Sequence, residues 1–301
     1  MSAAPENLRG SFVPLVTPFR EGEIDLEAFA ASVERQIAAG SHGVVVTGTT
    51  GEPTSLYATE RARLYRAGVE AADGRIPVVA ATGSPNQDET LTLTRQAEAA
   101  GVDAVLVLCP AFVRPSQAAL ESHFVTVAAS TDLPLMIYNI PGRAAVDIAA
   151  ATVERIAARA PNLVGLKHAS RDLDLVTDLI LRLGEDFRLF CGLESYSYPF
   201  LAVGGAGLMN AVGNLLPADV ARLCDLVAAG DHAEALALHR RLFRLNEAIF
   251  WDSNPVPLKA MLAMVGAGPE EVRPPLGGLP ENLRPGLQAL VDEVALGQER
   301  I

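Results

Sequence analysis

The chain has 301 residues, half of them hydrophobic and a fifth charged, with a net charge of −12. That balance excludes a disordered polymer, and an acidic chain without Lys/Arg clusters excludes a nucleic-acid footprint. No apolar run approaches the roughly 18 residues that a membrane span requires.

The stretch Met1–Asn7 has neither a basic nor an apolar leader pattern, so no signal peptide is expected. Short β-branched runs then recur with helical stretches between them. Strands are predicted at Ser11–Phe19, Gly43–Thr47, Pro77–Ala81, Ala104–Cys109, Pro134–Tyr138, Leu163–Lys167, Phe187–Cys191 and Gly207–Ala211. Leu26–Ala39, Glu60–Ala72, Asp88–Ala100, Gln117–Ser130 and Asp147–Ala160 carry apolar positions at helical spacing. Strands that read as unbroken apolar runs fit a parallel sheet covered on both faces. Eight strand-then-helix units in succession predict an α/β fold, a (β/α)8 TIM barrel. A doubly wound open sheet is the alternative. It would carry a GxGxxG turn after its first strand, where this chain has Thr17-Pro18-Phe19-Arg20. From about Leu215 the strand signal stops. Helices are predicted at Pro217–Gly230, Ala233–Ile249 and Val256–Gly266, followed by a Pro/Gly-rich stretch from Gly268 to Pro285 and a last helix. The expected organisation is a catalytic barrel over residues 1–230 and a C-terminal helical region over 231–301.

Three cysteines, Cys109, Cys191 and Cys224, lie far apart without CxxC spacing, so a reducing cytoplasm and no structural zinc are expected. Five histidines show no metal-ligand spacing, so no metal is expected.

Barrel chemistry sits at the C-terminal ends of strands. Of 24 basic residues only two are lysines, and one of them, Lys167, ends an apolar strand. An amine attacks a carbonyl only when neutral, and surroundings poor in water favour the neutral form. The resulting Schiff base is an electron sink for making or breaking the adjacent carbon–carbon bond. A lysine paired with a rim carboxylate is the plainer alternative. The Gly48-Thr49-Thr50-Gly51 turn offers backbone N–H groups and hydroxyls to a small anion. Tyr138 ends another strand and is placed to relay protons. Arg143, in a Pro/Gly turn, suits bidentate capture of a carboxylate. Glu52 is expected to cap or orient the glycine turn. His168 should point away from the pocket, and Lys259 is expected to be solvated.

With these residues laid out, the sequence resembles the dihydrodipicolinate synthase / N-acetylneuraminate lyase family of class I aldolases. The resemblance runs through Val16-Thr17-Pro18-Phe19, Gly48-Thr49-Thr50-Gly51-Glu52, Tyr138-Asn139-Ile140-Pro141, Gly165-Leu166-Lys167 and Asn254-Pro255-Val256-Pro257-Leu258-Lys259. It implies a barrel with C-terminal helices, usually in a homotetramer built from tight dimers. It implies that Lys167 forms the Schiff base with pyruvate or a related 2-oxo acid, without a cofactor. It assigns the substrate carboxylate to Thr50 with the Thr49 and Thr50 backbone, proton transfer to Tyr138 and Thr49, and a second carboxylate to Arg143. Gly51, Phe112, Gly192, Met209 and Asn210 complete the expected substrate-binding set.

Phe112 departs from the synthase pattern, which has a relay tyrosine there that crosses the dimer interface; phenylalanine loses that hydroxyl. Cys191-Gly192-Leu193-Glu194 and Leu208-Met209-Asn210 also read unlike the synthase, and Glu194 and Asn210 suit a hydroxylated substrate. The expectation is therefore a Schiff-base lyase or aldolase acting on a 2-oxo acid, by aldol chemistry or by dehydrating a 2-keto-3-deoxy sugar acid. Phe112 leans against 4-hydroxy-tetrahydrodipicolinate synthase proper, which stays an alternative. A catalytically silent 2-oxo-acid-binding paralogue is the other.

Overall fold

The computed structural model describes residues 7–298. Residues 1–6, on which most of the signal-peptide reading falls, and 299–301, the end of the C-terminal region, lie outside them.

Eight parallel strands close into a barrel: β1 Gly10–Pro14, β2 Gly43–Val46, β3 Val78–Ala81, β4 Ala104–Leu108, β5 Leu135–Asn139, β6 Leu163–His168, β7 Arg188–Cys191 and β8 Gly207–Leu208. β1 pairs with both β2 and β8, which completes the ring. Helices α1 Leu26–Ala38, α2 Ala58–Ala72, α3 Gln87–Ala100, α4 Gln117–Ala128, α5 Ala150–Ala157, α6 Asp174–Leu183, α7 Ser197–Ala202 and α8 Pro217–Ala229 each follow their strand. Side-chain oxygens cap several of them. Asp25 accepts the Ala28 N–H of α1, and Asn86 accepts the Asp88 and Glu89 N–H groups of α3.

Successive residues of a strand face opposite sides. On β4, Val105 and Val107 join the layer under the helices, while Ala104 and Leu106 join the barrel interior. That interior also holds Phe12, Val45, Val79, Met136, Phe190 and Met209, with the Phe12 and Phe190 rings edge-to-face at 5.4 Å. The packed filling leaves chemistry to the rim.

Three predicted boundaries shift. The first strand, expected to run Ser11–Phe19, ends at Pro14, and Phe19–Arg20 pairs antiparallel with Glu23–Ile24 in a separate ribbon. Pro14 and Pro18 lack the N–H that a continuing ladder needs. The eighth strand stops at Leu208, because Ala211–Asn214 turns into a short 3-10 helix. The helix expected over Asp147–Ala160 narrows to α5, behind a one-turn helix at Pro141–Ala144.

After α8 come α9 His232–Ala248, α10 Val256–Met264 and α11 Arg284–Gln298. Lys259, on α10, corrects the expectation of a solvated side chain: it is fully buried. Its Nζ donates to Glu52 Oε1 at 2.5 Å and to the Glu271 carbonyl at 2.7 Å. Glu52, equally buried, accepts the Arg273 N–H on its other oxygen. Phe19 lies beneath both cations, 4.4 Å from Lys259 Nζ and 4.4 Å from the Arg273 guanidinium. Helical spacing alone could not reveal this, because the partner carboxylate lies some two hundred residues earlier in the chain.

Removing one member of a buried pair leaves the other charge desolvated and alone, at a cost of roughly 3–5 kcal/mol. Lys259→Met should therefore lower the guanidinium unfolding midpoint markedly. Adding Glu52→Gln should recover part of the loss; equal midpoints for the single and double variants would show that the pair is not what holds this contact.

Candidate active site

β6 delivers Lys167 to the interior side of the barrel mouth, where it is 4% exposed. It stands in register with Tyr138 on β5 and Phe190 on β7. Its Nζ lies 4.3 Å from the centre of the Tyr138 ring. Two glycines make this possible. A side chain at Gly165 would meet the Arg188 carbonyl at 2.2 Å, so only glycine lets β6 and β7 approach there. A Cβ at Gly192 would lie 2.6 Å from Lys167 Cε, so Gly192 is the space in which the lysine side chain lies.

The Tyr138 hydroxyl sits 3.4 Å from Thr49 Oγ1, a pair in which either atom can donate. Thr49 and Thr50 open a one-turn 3-10 helix, Thr49–Gly51, after an extended Gly48. The first N–H groups of a helical turn find no partner inside it, so they remain for an anion. Just before the turn, Thr47 has φ of 55°, rare for a β-branched residue. It is held there by its hydroxyl, which donates to the Ala81 carbonyl at 2.9 Å. Thr50 Oγ1 accepts from Asn254 Nδ2 at 3.0 Å.

A small cleft gathers Thr49, Thr50, Tyr138, Arg143, Lys167 and Gly192, with Glu194, Met209 and Asn254 on its walls. Arg143 is exposed at its edge. A second, more apolar hollow shares Thr49, Arg143 and Asn254 with the cleft and extends past Leu108, Ala111 and Phe112. A larger hollow lies at the other end of the barrel beside Arg9, His42 and Asp225, and contains none of these residues.

Three expected substrate contacts are placed elsewhere. Phe112, at φ of 70°, is 86% exposed on the single chain and lines the outer hollow, where a residue that reaches across a dimer interface would stand. The Gly51 N–H is already donated to the Gly48 carbonyl, and the Gly51 carbonyl accepts from Thr17 Oγ1, so its polar groups serve the turn itself. Asn210 lies behind the cleft, with Nδ2 donating to Ser197 Oγ at 2.6 Å. His168 faces away, as its place next to Lys167 on the strand requires. It is fully buried, and its Nδ1 and Nε2 meet Asn139 Nδ2 and the Asp172 carbonyl. Asn254 is the residue that sequence reasoning left without a role. Its signals were its place at the head of the family-like Asn254–Lys259 stretch and an amide next to proline.

Glu194 is the cleft's buried acid. It is 2% exposed, Oε1 accepts the Ala211 N–H, and Oε2 has no hydrogen-bond partner. Burial pushes its pKa up to about 7, against the opposing pull of the Ala211 and Glu194 N–H groups and of Lys167.

Comparison with known proteins agrees with this fold. The family model described as the dihydrodipicolinate synthetase family matches residues 7–294. The chain belongs to that family. It is an enzyme, a lyase of the class I aldolase type. It is 48% identical over 270 residues to a 4-hydroxy-tetrahydrodipicolinate synthase of Thermus thermophilus, covering 89% of this chain and 90% of that protein. A synthase of the same name from Syntrophobacter fumaroxidans is 41% identical, covering 89% of this chain and 92% of that one. The solved 4-hydroxy-tetrahydrodipicolinate synthase of Methylacidiphilum fumariolicum superposes with a TM-score of 0.95 at 37% identity, over 97% of this chain and 98% of that one. Among the described residues no helix is long and apolar enough to cross a membrane.

Glu194 yields a pH prediction. Its carboxyl holds a proton more tightly when folded, at about 7, than at its ordinary 4.5. Between those values the folded state binds more protons than the unfolded one, so stability falls as pH rises, by up to roughly 3 kcal/mol. Urea unfolding at about pH 5 and about pH 7.5 should show this drop in the native protein and a smaller one in Glu194→Gln. An unchanged drop in the variant would assign it to another group.

Proposed function

We propose that this enzyme is a cofactor-free 4-hydroxy-tetrahydrodipicolinate synthase, which condenses pyruvate with aspartate semialdehyde through a Schiff base on Lys167. The observation that carries the reading is the buried Lys167 in register with Tyr138, beside the Thr49–Thr50 turn. The Thr50 hydroxyl and the free N–H groups of the turn hold the pyruvate carboxylate. The neutral Lys167 amine attacks the ketone carbon, and the ketone oxygen leaves as water, giving the imine. Tyr138 and Thr49 carry protons between amine, departing oxygen and solvent. Loss of a proton from the methyl group gives an enamine, whose terminal carbon attacks the aldehyde and forms the new carbon–carbon bond. The amine of the second substrate then attacks the imine carbon, closes the ring and displaces Lys167, so one water is released overall. Arg143, free at the cleft edge, takes the carboxylate of the second substrate.

Phe112 spoke against the synthase in the sequence. On one chain it stands outside the lysine's cleft, as a residue that crosses a dimer interface would, and the Thr49–Tyr138 pair forms within that chain. The synthase names of relatives at 48% and 41% identity support the same reading. Glu194 Oε2, a buried acceptor on the cleft wall, favours a hydroxylated sugar acid as the second reading. Exposed apolar Tyr57, Phe112 and Val113 support assembly of copies into a homotetramer. The three cysteines, free and buried, suit a cytoplasmic location.

Borohydride added with pyruvate should leave a covalent adduct on Lys167 and none on Lys259. Lys167→Ala should lose that adduct and lower kcat by roughly 10³-fold or more. Pyruvate with aspartate semialdehyde should turn over faster than any 2-keto-3-deoxy sugar acid. The reverse order would assign the enzyme to sugar-acid chemistry, and no adduct with any 2-oxo acid would refute the Schiff base.

A further inference from the structure

Thr50 and Asn254 are both more than nine-tenths buried, and they lie 204 residues apart in the chain. The direction of the bond between them matters. A threonine hydroxyl has one proton to donate and can accept twice, whereas an amide nitrogen only donates. Asn254 Nδ2 donates to Thr50 Oγ1 at 3.0 Å, so the threonine oxygen is the acceptor and its own proton is left for another partner. Both residues line the cleft that contains Lys167.

The same two segments are tied a second time. Glu52, two residues beyond Thr50, holds Lys259, five residues beyond Asn254, in the buried ion pair. Glu52 also accepts the Arg273 N–H, so neither of its oxygens is idle. The turn and the start of α10 are thus clamped at two points, and the amide cannot drift from the hydroxyl without breaking a buried charge pair.

We propose that Asn254 is a positioning residue that aims the Thr50 O–H into the cleft, so that affinity for the substrate carboxylate is set from the C-terminal helices, with the Glu52–Lys259 pair as its anchor. The inference rests on the reading that Thr50 binds the carboxylate of a 2-oxo acid. It makes Asn254→Asp the informative change. The aspartate has the same shape but accepts where the amide donates. It would turn the Thr50 proton away from the substrate and place a negative charge beside the substrate's own.

The experiment is a double-mutant cycle on pyruvate kinetics with Thr50→Val. A hydrogen bond to a charged group is worth roughly 10- to 100-fold in affinity. Asn254→Asp should therefore raise the pyruvate KM roughly 100-fold, and Asn254→Ala roughly 10-fold. At saturating pyruvate, kcat should stay within about threefold of the native enzyme, because Lys167 and Tyr138 are untouched. In the Thr50→Val background, Asn254→Ala should change KM less than about twofold, because no hydroxyl remains to orient. Should the aspartate variant fail to fold, the alanine and valine variants carry the cycle alone. The proposal is overturned if Asn254→Asp keeps the native KM, if the two single effects multiply independently, or if kcat falls while KM stays. Borohydride trapping at saturating pyruvate separates this from the wider reading. An adduct on Lys167 in the native enzyme together with any of those three results rejects only the role of Asn254, whereas no adduct in the native enzyme rejects the Schiff base itself.

Discussion

Closure of the parallel sheet is the constraint on which everything else depends. Once β1 bonds to β8, each strand has one face in the barrel interior and one under the helices, and residues alternate between them. The interior is filled by Phe12, Leu106, Met136 and Phe190, so the filling ends where the strands end. Lys167 and Tyr138 are the interior-side residues of β6 and β5 at that level. Their neighbours Leu166 and Ile137 belong to the layer under the helices, and a one-residue slip of either strand would exchange the two sets.

The two lysines show how burial sorts identical side chains. Lys259 meets a carboxylate at hydrogen-bond distance and becomes a structural charge, with burial pulling its pKa down and Glu52 opposing that pull. Lys167, nearly as buried, has an aromatic ring and glycine-made space around it and, among the described residues, no carboxylate at hydrogen-bond distance, with Glu194 farther along the same cleft. The rarity of lysine in this chain draws attention to both positions, yet rarity cannot tell a nucleophile from an anchor.

The carboxyl groups follow the same logic. Glu52 has a donor for each oxygen, while Glu194, on the wall of the Lys167 cleft, has one oxygen satisfied and the other bare. Their local sequences differ little in polarity. What differs is how many donors the fold aims at each, and donors from distant segments leave no trace near the acid itself.

Much of the fold was legible because its signals are local. Unbroken apolar runs marked the parallel strands, helical spacing marked the covering helices, and the order of the GTTGE, YNIP and GLK segments marked the strand ends that carry Thr49, Tyr138 and Lys167. Strand limits at Pro14 and Leu208 were misread, because proline chemistry and the turn into the 3-10 helix at Ala211–Asn214 act over one or a few residues that a periodicity smooths over. The amino-acid sequence by itself determined the alternation of strands and helices and the chemistry available at each strand end. Only the tertiary structure decided that Lys259 is an anchor, that Phe112 faces outward, and that Asn254 meets Thr50. Those outcomes depend on contacts between segments far apart in the chain, and such contacts exist only after the barrel has closed and the C-terminal helices have packed over its mouth.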